Sequence, residues 1–321
     1  MGHDAAVSDD GEALAATPDP RVAVVQIVHD QREELLRSLG HLSALPERPQ
    51  LIVVDNASTD GSAEAVRERF PSVDMIRLPV NLGVAARDVG VEFACAAYVA
   101  LSDDDSWWEP GSLARAADAL DAHPRLAVVQ AHVYVGEEDP SRRREEPMMA
   151  EIADSPLPDE PGMPGRPVVS FLGPAAVVRR SAYLAAGGTD PRLQMGGEEE
   201  HLSADLQAAG WSLAYLAEVV AHHRSMKGRS GAARDLRRRQ GVRNTLWFSW
   251  LRRPWPSAAR RTLMMVRKVP KDRVSALAFL DALRGVPWVL RERRVVPAHV
   301  ERRLRLMDEP QMGSRARSYH V

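Results

Sequence analysis

Short apolar runs alternate with stretches of helical spacing through the first two-thirds of the chain. RVAVVQIV (21–28) is almost continuously apolar and β-branched, the pattern of a strand covered on both faces. REELLRSLGHLSAL (32–45) places Leu35, Leu36, Leu39 and Leu42 on one helical stripe. PQLIVVDN (49–56) predicts a second buried strand and SAEAVRERF (62–70) a second helix. VDMIRLP (73–79), a helix over 84–95 and AYVALSDDD (97–105), a strand running straight into acid, continue the series. Helix SLARAADALDAH (112–123) and strand LAVVQAHVYV (126–135) complete it. This β-α alternation predicts an α/β fold, a mostly parallel sheet flanked by helices, whose ligand site lies beyond the C-terminal strand ends.

The pattern breaks over 136–167, where acids, the run Arg142, Arg143, Arg144 and seven prolines predict a long loop. VVSFLGPAAVVRRSAYLAAGG (168–188) predicts a strand and short helix. EEEHLSADLQAAGW (198–211) predicts a helix, and SLAYLAEVVAHH (212–223) a strand ending in two histidines. Three parts follow: a disordered acidic leader (1–20), one α/β domain (21–225) and a basic helical C-terminal region (226–321).

Composition changes this picture little. The chain has 321 residues, 45% apolar and 27% charged, with a net charge of -2, so nothing global points to nucleic acid. The single cysteine excludes an internal disulfide, and its apolar surroundings predict that Cys95 is buried. No stretch reaches the ~20 apolar residues of a transmembrane helix. The N-terminus lacks the basic and apolar regions of a signal peptide, and a cytoplasmic location is expected. Arginines interleaved with Trp247, Phe248, Trp250 and Trp255 leave two readings of the C-terminal region. It packs its tryptophans on the core, or it lies peripherally on the inner face of a membrane.

Three polar clusters carry candidate chemistry. Asp103, Asp104 and Asp105 follow a buried strand; such crowded carboxylates either hold a divalent cation or form a solvated acidic turn. Asp55, with Asn56 and Ser58, follows another strand and either accepts from a nucleoside or shapes a polar turn. Asn81-Leu82-Gly83, followed by Arg87 and Asp88, either opens a helix toward an anion or is an ordinary helix start.

Taken together, the stretches VAVVQIV, LIVVDNASTDGS, NLGVAARDVG, ALSDDD, FLGPAAVVRRSAYLAAGG and GGEEEHLSADLQAAGW resemble the inverting family 2 glycosyltransferases of the GT-A fold, rhamnosyltransferases among them. The resemblance spans 21–225. It implies that Asp55 contacts the donor base, Asp103 the ribose, and Asp105 an Mg or Mn ion. Asn56, Ser58, Asn81, Arg87, Asp88 and Asp104 would line the nucleotide site. The pair Glu198 and Glu199 stands where the family has Glu-Asp, which makes Glu199 the base for the acceptor hydroxyl. His222 or His223 would reach the metal or the diphosphate. The implied reaction moves a hexosyl or deoxyhexosyl group from a UDP- or dTDP-sugar to a hydroxyl acceptor, and a lipid-linked acceptor would suit the basic tail.

Three features depart from the family pattern. His29, Asp30, Gln31 and Arg32 replace a Tyr-Asn turn, Glu199 replaces Asp, and His201 replaces an acid. These keep a noncatalytic sugar-nucleotide binding protein open as an alternative. A nucleotidyltransferase is less favoured, and a dehydrogenase disfavoured, because no glycine-rich phosphate loop follows the first strand.

Overall fold

The computed structural model describes residues 19–136, 143–224 and 231–314. Its first half turns the apolar runs into strands and the striped segments into helices. These are β1 (Val22–Val28), α1 (Arg32–Ser43), β2 (Gln50–Asp55), α2 (Ser62–Arg69), β3 (Asp74–Arg77), α3 (Ala86–Phe93) and β4 (Tyr98–Asp103). There follow β5 (Ser106–Trp108), α4 (Ser112–Ala122), β6 (Leu126–Val135), β7 (Arg144–Glu145), α5 (Pro147–Ala153) and β8 (Arg166–Pro167). The domain continues with β9 (Ala176–Arg179), α6 (Arg180–Ala185), α7 (Glu198–Ala208) and β10 (Ser212–His223). Then come α8 (Gly231–Arg252), α9 (Trp255–Lys268), α10 (Arg273–Arg284), α11 (Val286–Glu292) and α12 (Ala298–Gly313).

The main path of the sheet runs β3-β2-β1-β4-β9-β6-β10-β5. β1 to β4 are mutually parallel and β6 pairs parallel with β10, but β9 runs antiparallel between β4 and β6. β5 folds back antiparallel onto the end of β10, pairing Trp107 with His222 and Ser106 with His223. That last pairing positions the site, because it brings the end of β10 against the acidic turn after β4.

Two expectations need correction. Cys95 is exposed, since α3 ends at Phe93 and the chain then alternates buried Ala94, exposed Cys95 and buried Ala96. The run 168–172 is largely buried yet lies outside the strands, and the ladder resumes only at Ala176. Within 136–167, the described residues include helix α5 and two short strands. The leader 1–18 lies outside the described residues.

The C-terminal helices share a core with the sheet domain. Leu157, Val169 and Ala204 pack with Phe248, Val296, Val300, Leu304 and Met307. Beside this core lies a buried ion cluster. Arg253 donates to both oxygens of Glu301 at 3.0 Å and also to both oxygens of Asp308. Arg261 donates to Asp308 at 3.0 Å and to Glu200 of α7 at 3.3 Å. The cluster therefore ties α7 to α9, α12 and the end of α8, and removing Arg253 would take the bidentate partner from buried Glu301.

Candidate functional site

A glutamine in the otherwise apolar β1 supports the acidic turn. Gln26 is buried and donates to the Asp103 carbonyl and to Ser38 Oγ, each at 2.8 Å. Ser38 Oγ in turn donates to the Asp104 carbonyl at 2.8 Å. The Asp103 amide donates to Ser106 Oγ, and the Arg224 amide to the Asp105 carbonyl, each at 2.8 Å. With its backbone held from four sides, the turn presents its carboxylates in a fixed arrangement.

Asp103, Asp105 and His223 each offer a ligand atom, all within 4.8 Å of one another. His223 Nε2 lies 3.2 Å from Asp105 Oδ1. Burial works against the protonated ring, but Asp105, with Asp103 behind it, holds the His223 pKa above its ordinary value. For Asp103, burial opposes charge, yet Arg87 and His223 outweigh it and hold the carboxyl below its usual range. Two carboxylates and an imidazole form a donor set that fits a divalent cation.

Arg87 links this group to the start of α7. Its guanidinium is buried, donates to Asp103, and lies 3.8 Å from Glu198. Gly173 makes the packing possible: a Cβ there would come within 2.4 Å of the Arg87 guanidinium. Gly197, at φ 89°, turns the chain into α7, a conformation that suits glycine. Glu198 is buried, and burial together with the charge of Glu199 pushes its carboxyl up to about 8. Burial also raises Glu199, against the pull of Arg87, and Glu199 Oε1 accepts from the Gly173 amide at 3.2 Å. A cavity lies here, lined by Arg87, Phe171, Glu198 and Glu199 among others.

Asp55 sits at the end of β2, fully buried. Its Oδ1 accepts from the Ser58 amide at 2.8 Å, whereas Oδ2 has no hydrogen bond and faces Arg77 Nε at 3.5 Å. Ser58 Oγ accepts from the Asp30 amide at 3.1 Å, which closes the loop after β1 against the loop after β2.

The other expected residues have partners in the loops around the cleft. Asn56 accepts from the Leu82 amide and donates to the Gly83 carbonyl, so its side chain pins the 82–83 loop. Asn81 is exposed and accepts from the Gly83 amide. Asp88, expected near the nucleotide, accepts from Tyr183 and from the Thr189 amide, and both of those residues line the cavity shared with Arg87, Glu198 and Glu199. Asp104 is half-buried and lies outside the three-residue group.

Of the two histidines, His223 is among the grouped ligands and His222 is not. Successive strand residues face opposite sides, so with His223 on the acids, His222 turns to Glu109 at 2.9 Å and stacks on Trp107. His201, standing where an acid was expected, is buried edge-on against Phe248, and burial pulls its pKa down to about 4. Sequence reading missed Gln26, Arg77 and the Arg253–Arg261 cluster. Only Gln26 carried a signal, as a polar residue in a buried strand.

Known proteins place this architecture. The family model described as Glycosyl transferase family 2 matches residues 23–185. The chain is 29% identical over 242 residues to the N-acetylglucosaminyl-diphospho-decaprenol L-rhamnosyltransferase of Mycobacterium tuberculosis, covering 65% of this chain and 78% of that protein. Among solved structures it is similar to a mannosyltransferase from Pyrobaculum calidifontis in complex with GDP-Man and Mn2+. The TM-score is 0.53 and the identity 18%, over 92% of this chain and 89% of the other. It is also similar to GalNAc-T7 with UDP, GalNAc and Mn2+, at TM-score 0.56 and 15% identity, over 85% of this chain and 56% of the other. Those two likenesses establish the GT-A fold.

Proposed function

The chain belongs to glycosyl transferase family 2, and from that premise we propose that it moves a hexosyl or deoxyhexosyl group from a UDP- or dTDP-sugar to a hydroxyl acceptor, with inversion. The observation that carries this reading is the convergence of Asp103, Asp105 and His223 with Arg87 and the pair Glu198–Glu199 around one cleft. Asp55, whose Oδ2 makes no hydrogen bond, would accept from the N–H of a pyrimidine base. Asp103 would turn to the ribose, and Asp103, Asp105 and His223 would hold Mg or Mn, the imidazole favouring Mn. When bound, the cation supplies neutralisation of the diphosphate leaving group.

Glu199 does the protein's part of the chemistry. Its carboxylate accepts the acceptor hydroxyl's proton as that oxygen bonds to the anomeric carbon. The bond to the diphosphate breaks on the opposite face, which gives inversion. The raised pKa of Glu199, caused by burial against the pull of Arg87, suits a base that must hold a proton after transfer. The relative's name makes a polyprenyl-diphosphate sugar the first acceptor to try.

The purified chain would be assayed with UDP- and dTDP-sugars and Mn, and the product anomer read by NMR. Transfer with inverted configuration, abolished in D105A, is the expected result. Donor binding without turnover over a broad acceptor panel would instead favour a noncatalytic binding protein.

A further inference from the structure

The C-terminal helices carry a surface that the transfer reaction does not use. Eight of the twelve large apolar side chains exposed among the described residues lie between Trp255 and Leu306. α9 exposes Leu263 and Val266, followed by Arg267, and α10 exposes Leu280 and Leu283, followed by Arg284. Each helix thus presents two bulky aliphatics one turn apart with an arginine beside the second. α11 repeats half of the pattern as Leu290 and Arg291. The inner faces of the three helices are already occupied: Met265, Val269, Ala278, Ala282 and Val289 fill a core with Val242 and Leu246 of α8.

Charge on the same segment is one-sided. From residue 254 to 294 eight basic residues are exposed against one exposed acid, Asp272, which is bound to Arg238, and two half-buried acids, Asp281 and Glu292. Arg284 and Arg291 each lean on a neighbouring acid in exposed pairs, which hold them weakly. Isolated exposed leucines are ordinary, but aliphatic pairs repeated beside arginines on successive helices are not.

We propose that the solvent faces of α9, α10 and α11 dock on an anionic lipid bilayer. The leucines would enter the boundary between headgroups and acyl chains while the arginines stay at phosphate depth. The mode is surface contact, because among the described residues no helix is long and apolar enough to cross a membrane. Nucleic acid shares the phosphate chemistry but offers aliphatic pairs no partner. The exposed aromatic of the segment, Trp255, is covered by Arg293 at 3.8 Å and is a poor platform for stacking bases. The proposal stands independently of the reaction assigned above.

The test is co-sedimentation of the full chain with phosphatidylcholine vesicles, with and without phosphatidylglycerol, at physiological ionic strength. The chain is expected to bind the anionic vesicles about tenfold or more tightly than the neutral ones. L280E/L283E is expected to lose about tenfold or more of that binding, with circular dichroism unchanged. L263E/V266E, on a different helix, decides the matter if the first variant misfolds. Absence of binding to anionic vesicles would overturn the proposal, as would equal binding by folded glutamate variants. Tighter binding to a DNA duplex, insensitive to the leucines, would overturn it as well.

Discussion

Two buried ion clusters meet at the first turn of α7 and are built on different ratios. In the cleft, the buried guanidinium of Arg87 faces three carboxylates, Asp103, Glu198 and Glu199. Behind α7, two guanidiniums, Arg253 and Arg261, serve Glu200, Glu301 and Asp308 through six hydrogen bonds. The first arrangement leaves carboxyls whose protons are held too tightly, which suits proton transfer. The second spends its charges on each other and holds helices together. Adjacent residues of one helix, Glu199 and Glu200, fall on the two sides of this division.

The contrast predicts opposite responses to removing charge. Glu199→Gln should lower kcat by roughly 10²- to 10⁴-fold with donor KM nearly unchanged, read by steady-state kinetics. It should not destabilise the fold, because it relieves an excess of negative charge. Arg253→Met should do the reverse, costing about 3–5 kcal/mol in urea unfolding, because it takes the bidentate partner from buried Glu301 and leaves Asp308 to Arg261. If the two variants behaved alike, the distinction between the clusters would be lost.

Titration sharpens the same comparison. A carboxyl whose folded pKa lies above its unfolded one binds an extra proton in the fold. Glu198 therefore favours the folded state at low pH, and that contribution is lost as pH rises from the ordinary carboxylate range to about 8. Stability measured by urea unfolding should decline over this window, and Glu198→Gln should flatten the decline. Turnover should climb as pH rises above the ordinary carboxylate range and Glu199, whose pKa burial raises, gives up its proton. The smallest effect is expected outside both clusters. Arg77 is half-exposed and lies 3.5 Å from Asp55, so Arg77→Ala should raise donor KM by tenfold at most, with kcat unchanged.

Much of this was legible in the sequence. The strand runs and the acids at their C-terminal ends carried the sheet and the candidate positions Asp55, Asp103 and Asp105, because burial on both faces and ligand sites at strand ends both leave local patterns. The role of Arg87 emerged only from packing, since its partners Asp103 and Glu198 come from distant segments. Choosing between His222 and His223 required the register of β10 against β5, which no local pattern encodes. The same holds for Asp88, whose partners lie about a hundred residues away, and for Arg253 and Arg261, which look like ordinary tail arginines until α12 folds over them.

The Arg261–Glu200 contact also bears on modularity. A reader dividing the chain by composition would cut near residue 225 and expect a portable catalytic half. Such a cut would expose Leu157, Val169 and Ala204 and leave Glu200 facing solvent one residue from Glu199. Tail and sheet should therefore melt in a single cooperative transition, and exchanging tails between relatives should succeed only when the partners of Arg253 and Arg261 travel with them.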